Sequence, residues 1–113
     1  MKITAYDASE SAELKELRET AALEKRADAP VWIDVTDYAP EELTEWLSSI
    51  RLDSDWSRAC AEMSGRTRLE VADAEIFFEL SVLGKGPRAV WQPMAFLCAR
   101  GVVITIHWEN GYN

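Results

Sequence analysis

The chain has 113 residues, a net charge of −8 and 48% hydrophobic residues, with five tryptophans among them. That is enough for one hydrophobic core and too little for two, while the 28% charged share suits a water-exposed surface and excludes a disordered, low-hydrophobicity chain. The acidic balance argues against nucleic acid and anionic lipid as partners, because both repel carboxylates.

No stretch resembles a signal peptide, and the longest aliphatic run, Val102 to Ile104, falls far short of the ~18 apolar residues a span needs. The sequence as given is expected not to insert in a membrane. Cys60 and Cys98 stand apart from any Cys-x-x-Cys spacing, so both read as buried thiols of a reducing compartment.

In chain order, Lys2 to Tyr6 reads as a strand. Asp7 to Glu10 has capping-box spacing, and Leu14, Leu17 and Ala21 form a thin apolar stripe, predicting a helix to about Lys25. Pro30-Val31-Trp32-Ile33-Asp34-Val35-Thr36-Asp37 alternates with period two and predicts a strand that pairs with the first one in parallel, as a βαβ unit would. Pro40 then opens a helix with Glu41 and Glu42 in its first turn, where the helix dipole favours acids. Leu43, Trp46, Leu47 and Ile50 repeat at helical spacing, and so do Trp56, Ala59, Cys60 and Met63 after an N-cap at Asp53-Ser54; Gly65 stops that helix.

From Arg66 the period returns to two. Leu69 and Val71 alternate with polar residues, Asp73-Ala74 turns the chain, and Ile76 to Leu83 completes a hairpin. Gly84-Lys85-Gly86-Pro87 reads as a turn, because it lacks the spacing and the hydroxyl of a phosphate loop. Met94 to Ala99 and Val102 to Trp108, joined through Arg100-Gly101, form a second hairpin. The expected fold is α/β: order β-α-β-α-α-β-β-β-β, one domain over residues 1–113, helices packed on a mixed parallel and antiparallel sheet.

Catalytic machinery is hard to find. His107, the one histidine, lies among aliphatic residues and reads as a structural histidine with its hydrogen bonds satisfied. Histidine and cysteine spacing for zinc is missing. Between Asp34 and Glu62 there are eight acids against two bases, Arg51 and Arg58. This block is either a solvated face or a surface for a divalent cation or a basic partner, with Asp53, Asp55 and Glu62 as the metal candidates. No catalytic or cofactor-binding residue is assigned and no cofactor is required; weak binding of Mg2+ or another divalent cation is left open.

The strand Pro30 to Asp37 followed by Ala39-Pro-Glu-Glu-Leu43 resembles the tryptophan-aliphatic-aspartate strand and Pro-Glu-Glu-Leu helix start of the N-terminal cytoplasmic domain of CorA-type magnesium transporters. Arg66-Thr-Arg-Leu-Glu70 is similar to that family's Arg-Pro-Lys-Val-Glu segment. Ala95 to Ala99 and Val102 to His107 resemble its closing strand pair. The resemblance implies a regulatory domain on the cytoplasmic side of the membrane, in a homopentameric divalent-cation transporter that senses intracellular magnesium. Its partners would be other copies of itself and its own stalk and transmembrane helices. The Gly-Met-Asn motif and the membrane helices are not in this sequence, and Gly111-Tyr112-Asn113 is not that motif, so the chain is not expected to conduct ions alone. Many relatives carry a Glu-Asp pair at a regulatory magnesium site where this chain has Arg58 and Ala59, and an arginine opposes a cation there. The alternative reading is a stand-alone regulatory or protein-interaction domain of the same fold; a third is an enzyme with an acidic metal site.

Overall fold

The computed structural model describes residues 1–8, 15–18, 22–23, 30–84, 86–87 and 89–108. Their elements are β1 (Lys2–Asp7), β2 (Lys15–Leu17), β3 (Val31–Thr36), α1 (Pro40–Ser49), α2 (Ser57–Ala61), β4 (Arg68–Ala72), β5 (Glu75–Leu83), β6 (Trp91–Ala99) and β7 (Val102–His107). The strands form one mixed sheet in the order β2-β1-β3-β7-β6-β5-β4. The α/β class and the mixed sheet agree with the sequence reading.

Two expectations need correction at the N-terminal edge. Lys15–Leu17, assigned above to a helix, is a strand that runs antiparallel to β1 with Ala5 opposite Leu17 and Asp7 opposite Lys15. Pairing with the open edge of β1 outweighs the local helical spacing, as tertiary context commonly does over so short a segment. The second correction follows from the first: β1 and β3 are antiparallel, Lys2 facing Thr36 and Asp7 facing Val31. Because β2 turns back on β1, β2 and β3 run the same way with β1 between them, so the crossover logic belongs to β2 and β3. Ala22 and Leu23 are helical, and the Ala22 N–H donates to the Arg18 carbonyl at 2.9 Å. Ser9, Glu10, Leu14 and Ala21, also used in that reading, lie outside the described residues.

The helix α1 forms as its pattern dictates, with Pro40 in the first turn and Leu43, Trp46 and Leu47 buried. Glu42 Oε1 reaches back to accept from the Ala39 N–H at 3.2 Å, which holds the helix entry. The next helix, α2, is shorter than its apolar spacing suggests, and its N-cap is Trp56 rather than Asp53-Ser54. The Asp55 carboxylate instead accepts from the Ser57 N–H at 3.0 Å, one position later.

One face of the sheet packs under these helices. Val31, Ile33 and Val35 of β3, Ile104 and Ile106 of β7, Leu97 of β6 and Phe77 of β5 meet the buried residues of α1 and α2 in one core. Each such side chain contributes about 1.5–3 kcal/mol relative to exposure. The opposite face carries the intervening residues, and neither α1 nor α2 packs on it. Its middle row runs Thr4, Asp34, Thr105, Phe96, Phe78, Leu69 from β1 to β4. This open face is therefore polar on its β1–β3–β7 side and apolar on its β6–β5–β4 side, where Leu69 and Val71 are 65% and 64% exposed.

Candidate functional site

The polar half of the open face holds a continuous hydrogen-bonded chain. Trp32 Nε1–H donates to Thr105 Oγ1 at 2.9 Å, and the Thr105 hydroxyl donates to Asp34 Oδ1 at 2.5 Å. His107 Nε2 meets the same Asp34 oxygen at 2.8 Å. Strand periodicity explains the assembly: β3 and β7 run parallel in register, so Asp34 stands beside Thr105 and one position short of His107 on the same face. Burial pushes the Asp34 carboxyl up, but hydrogen bonds from His107 and Thr105 and the His107 charge outweigh it and hold the group below its ordinary value. The hydrogen bond to Asp34 raises His107 above the ordinary imidazole value, against the opposing effect of burial.

Beyond His107 the chain of contacts continues to Trp108. The Trp108 carbonyl receives Gln92 Nε2–H at 3.2 Å and lies 3.3 Å from His107 Nδ1. Gln92 Oε1, in contrast, is buried with no hydrogen-bond partner among the described residues. The Trp108 ring stacks on Tyr38 at 5.2 Å between centroids, just ahead of α1. A groove of about 360 Å³ lies over this cluster, lined by Lys2, Thr4, Asp34, Gln92, His107 and others. A smaller apolar cavity of about 180 Å³ lies under Trp108 between α1 and α2, with Tyr38, Leu43, Cys60 and Met63 in its wall.

On the helix face, β5 carries two carboxylates into the core. Glu75 is 2% exposed and accepts from the Asp53 N–H at 2.8 Å, the Ser54 N–H at 3.0 Å and Trp56 Nε1 at 2.8 Å. Glu79 is 1% exposed and accepts from the Ser64 N–H at 2.7 Å, the Gly65 N–H and Arg68 Nε at 2.9 Å. Each acid thus satisfies backbone donors at one end of α2, so a helix too short to be stable alone is pinned to the sheet at both ends. Gly65, at φ +86°, is needed there: a Cβ would come within 2.9 Å of Ser81 Oγ, whose hydroxyl donates to the Gly65 carbonyl.

The metal candidates are not gathered. Asp53 and Asp55 line a shallow pocket beside Arg51 between the helices, whereas Glu62 is past the far end of α2, paired with Arg58 at 3.0 Å and with Arg68 at 3.9 Å. No group of three or more histidines, cysteines or acids that could hold a metal ion occurs among the described residues. Arg58 projects to solvent and Ala59 is buried in the core. Both cysteines are free thiols, Cys60 buried and Cys98 intermediate; burial pushes the Cys60 thiol up to about 12.

Sequence reasoning treated Asp34 and His107 separately and passed over Glu75 and Glu79. The first pairing joins positions 73 residues apart and leaves no local trace. The second had a signal, since Glu75 and Glu79 share the period-two face of Phe77 in an apolar strand.

Together these features define a mixed α/β domain with helices on one face of the sheet and a half-polar, half-apolar face on the other. Its fold is that of the cytoplasmic domain of CorA-type transporters. The chain is similar to the soluble domain of CorA from Methanocaldococcus jannaschii, with a TM-score of 0.67 and 16% identity over 95% of this chain and 40% of that one. It is similar to the complete CorA magnesium transporter of the same organism, with a TM-score of 0.62 and 16% identity over 96% of this chain and 32% of that one. The cytoplasmic domain of ZntB from Vibrio parahaemolyticus superposes with a TM-score of 0.69 and 13% identity over 97% of this chain and 43% of that one. The chain therefore spans less than half the length of these structures. No protein-family model and no curated protein sequence matches it. Among the described residues no helix is long and apolar enough to cross a membrane.

Proposed function

We propose that residues 1–113 form the cytoplasmic regulatory domain of a divergent CorA-like divalent-cation transporter, and that the domain itself neither conducts ions nor catalyses a reaction. The observation that carries this reading is the superposition on the ZntB cytoplasmic domain over 97% of the chain, joined to the ordered sequence motifs. In such a protein the domain's partners are the other copies in a homopentamer and its own stalk and transmembrane helices. The apolar half of the open face supports a covering partner, since contiguous exposed apolar surface commonly marks an interface. Any divalent-cation binding by this chain would be weak and would use Asp53 and Asp55, with Glu62 engaged by two arginines.

Sequencing the gene past the Asn113 codon tests the proposal. The expected result is a long charged helix, two hydrophobic spans and a Gly-Met-Asn. A stop codon at that point overturns the transporter reading, and a stable self-associated form in solution would then favour a stand-alone interaction domain.

A further inference from the structure

The contacts of His107 are satisfied in only one protonation state. Nε2 faces a carboxylate oxygen at 2.8 Å and Nδ1 faces a peptide carbonyl at 3.3 Å. Both partners are acceptors, so both ring nitrogens must carry hydrogen, and only the imidazolium does. When the proton leaves, one nitrogen presents a lone pair to an acceptor. An ionised carboxylate holds its donor more strongly than a neutral carbonyl does. The proton is therefore lost from Nδ1, and the contact that fails is the one to Trp108.

The Trp108 carbonyl is also where Gln92 directs its amide, and it does so while leaving its own Oε1 buried without a partner among the described residues. Reversing that amide would set oxygen against oxygen, so the orientation is fixed by Trp108. Two donors from β6 and β7 thus converge on a single carbonyl at the point where the chain leaves the sheet. On the other side of that residue, its ring is stacked on Tyr38 and packs against the core.

We propose that His107 is a proton-dependent latch: as an imidazolium it ties the chain leaving β7 to Asp34, and loss of its Nδ1 proton leaves the Trp108 carbonyl held by Gln92 alone and loosens the Trp108–Tyr38 stack. The charged surroundings favour the closed state. From β3 and the turn after it, Asp34 and Asp37 act on the ring, and Lys2 of β1 lies within reach of Asp34. The neighbouring positions of β6, Gln92 and Met94, and of β5, Leu80 and Val82, carry no charge.

The chain's single histidine makes the test direct. Long-range proton–nitrogen NMR of the 15N-labelled protein reads both imidazole nitrogens without assignment ambiguity. The expected result is a midpoint above 6.5, two protonated nitrogens on the acid side of that midpoint, and a neutral form protonated at Nε2 alone. The Trp108 indole cross-peak, assigned with Trp108→Phe, shifts with the same midpoint. In Asp34→Asn both midpoints fall together to 6.5 or below. A wild-type midpoint at or below 6.5, a neutral ring protonated at Nδ1, or a Trp108 peak that stays fixed while His107 titrates overturns the latch. The wild-type measurements decide the matter even where the Asn variant does not fold.

Discussion

Arg68 Nε donates to Glu79 Oε1 at 2.9 Å, in an ion pair whose carboxylate is entirely inside the protein and whose guanidinium side chain is 15% exposed. The same guanidinium reaches the Ala59 carbonyl and lies 5.1 Å over the Phe77 ring, so edge strand β4, helix α2 and core strand β5 are joined through one side chain. Arg68→Met removes the partner of a buried charge and is expected to cost about 3–5 kcal/mol. Urea unfolding followed by circular dichroism measures it. In a double-mutant cycle, Arg68→Met with Glu79→Gln should cost clearly less than the two single losses added together; additive losses would mean that the pair is not coupled.

Glu75 offers a sharper test of the helix-pinning role. Glu75→Gln retains one acceptor oxygen and loses the charge, and should destabilise by about 1–3 kcal/mol because buried donors at Asp53, Ser54 and Trp56 are left short of an acceptor. Amide exchange at Ser54 to Cys60 is expected to accelerate more than exchange in β7. Uniform acceleration would show that Glu75 stabilises the whole fold and not α2 in particular.

Stability should also fall as pH rises above 6.5. His107 has a folded-state value raised above 6.5, so the folded protein holds the proton more tightly than the unfolded chain does. Its contribution is complete below that value and is lost as pH rises through the folded-state value. Asp34 works in the opposite range: its value is lowered from 3.8, and its contribution disappears as pH falls below that figure. Urea midpoints across pH should therefore decline on the alkaline side in the wild type and flatten there in His107→Gln. A wild-type profile that is level above pH 6.5 contradicts the assignment.

Magnesium is expected to show no saturable calorimetric binding below about 1 mM, because hard cations need several converging oxygens and the three acidic candidates lie on opposite sides of α2, Asp53 and Asp55 before it and Glu62 after it. Tight binding that Asp53→Asn and Asp55→Asn abolish would reverse this expectation.

Edge-strand substitutions should behave differently from all of these. Val71→Lys sits on the exposed apolar half of the open face and is expected to change monomer stability by less than about 0.5 kcal/mol. Static light scattering should record lower self-association at high concentration.

Much of the architecture was readable because burial imposes period. The alternation of Val31, Ile33 and Val35 and the helical spacing of Leu43, Trp46 and Leu47 each appear in the structure as buried faces. The direction of β1 against β3 was not readable, since it depends on a three-residue strand whose identity comes from pairing and not from its own residues. The Asp34–His107 contact was hidden for a related reason: two residues become neighbours only once β3 and β7 lie side by side. Glu75 and Glu79 were visible as acids on an apolar face, yet the backbone donors that make them tolerable, at Asp53, Ser54, Ser64 and Gly65, come from loops with no pattern of their own.

The position of β7 has a consequence for biosynthesis. It is the last of the described strands to be made and the fourth of seven in the sheet. Until it emerges from the ribosome, β1 to β3 and β4 to β6 are two separate half-sheets, each with an unpaired inner edge. Their union waits for β7, so completion of the core is postponed until that strand has been made and the exposed edges remain the chain's hazard until then.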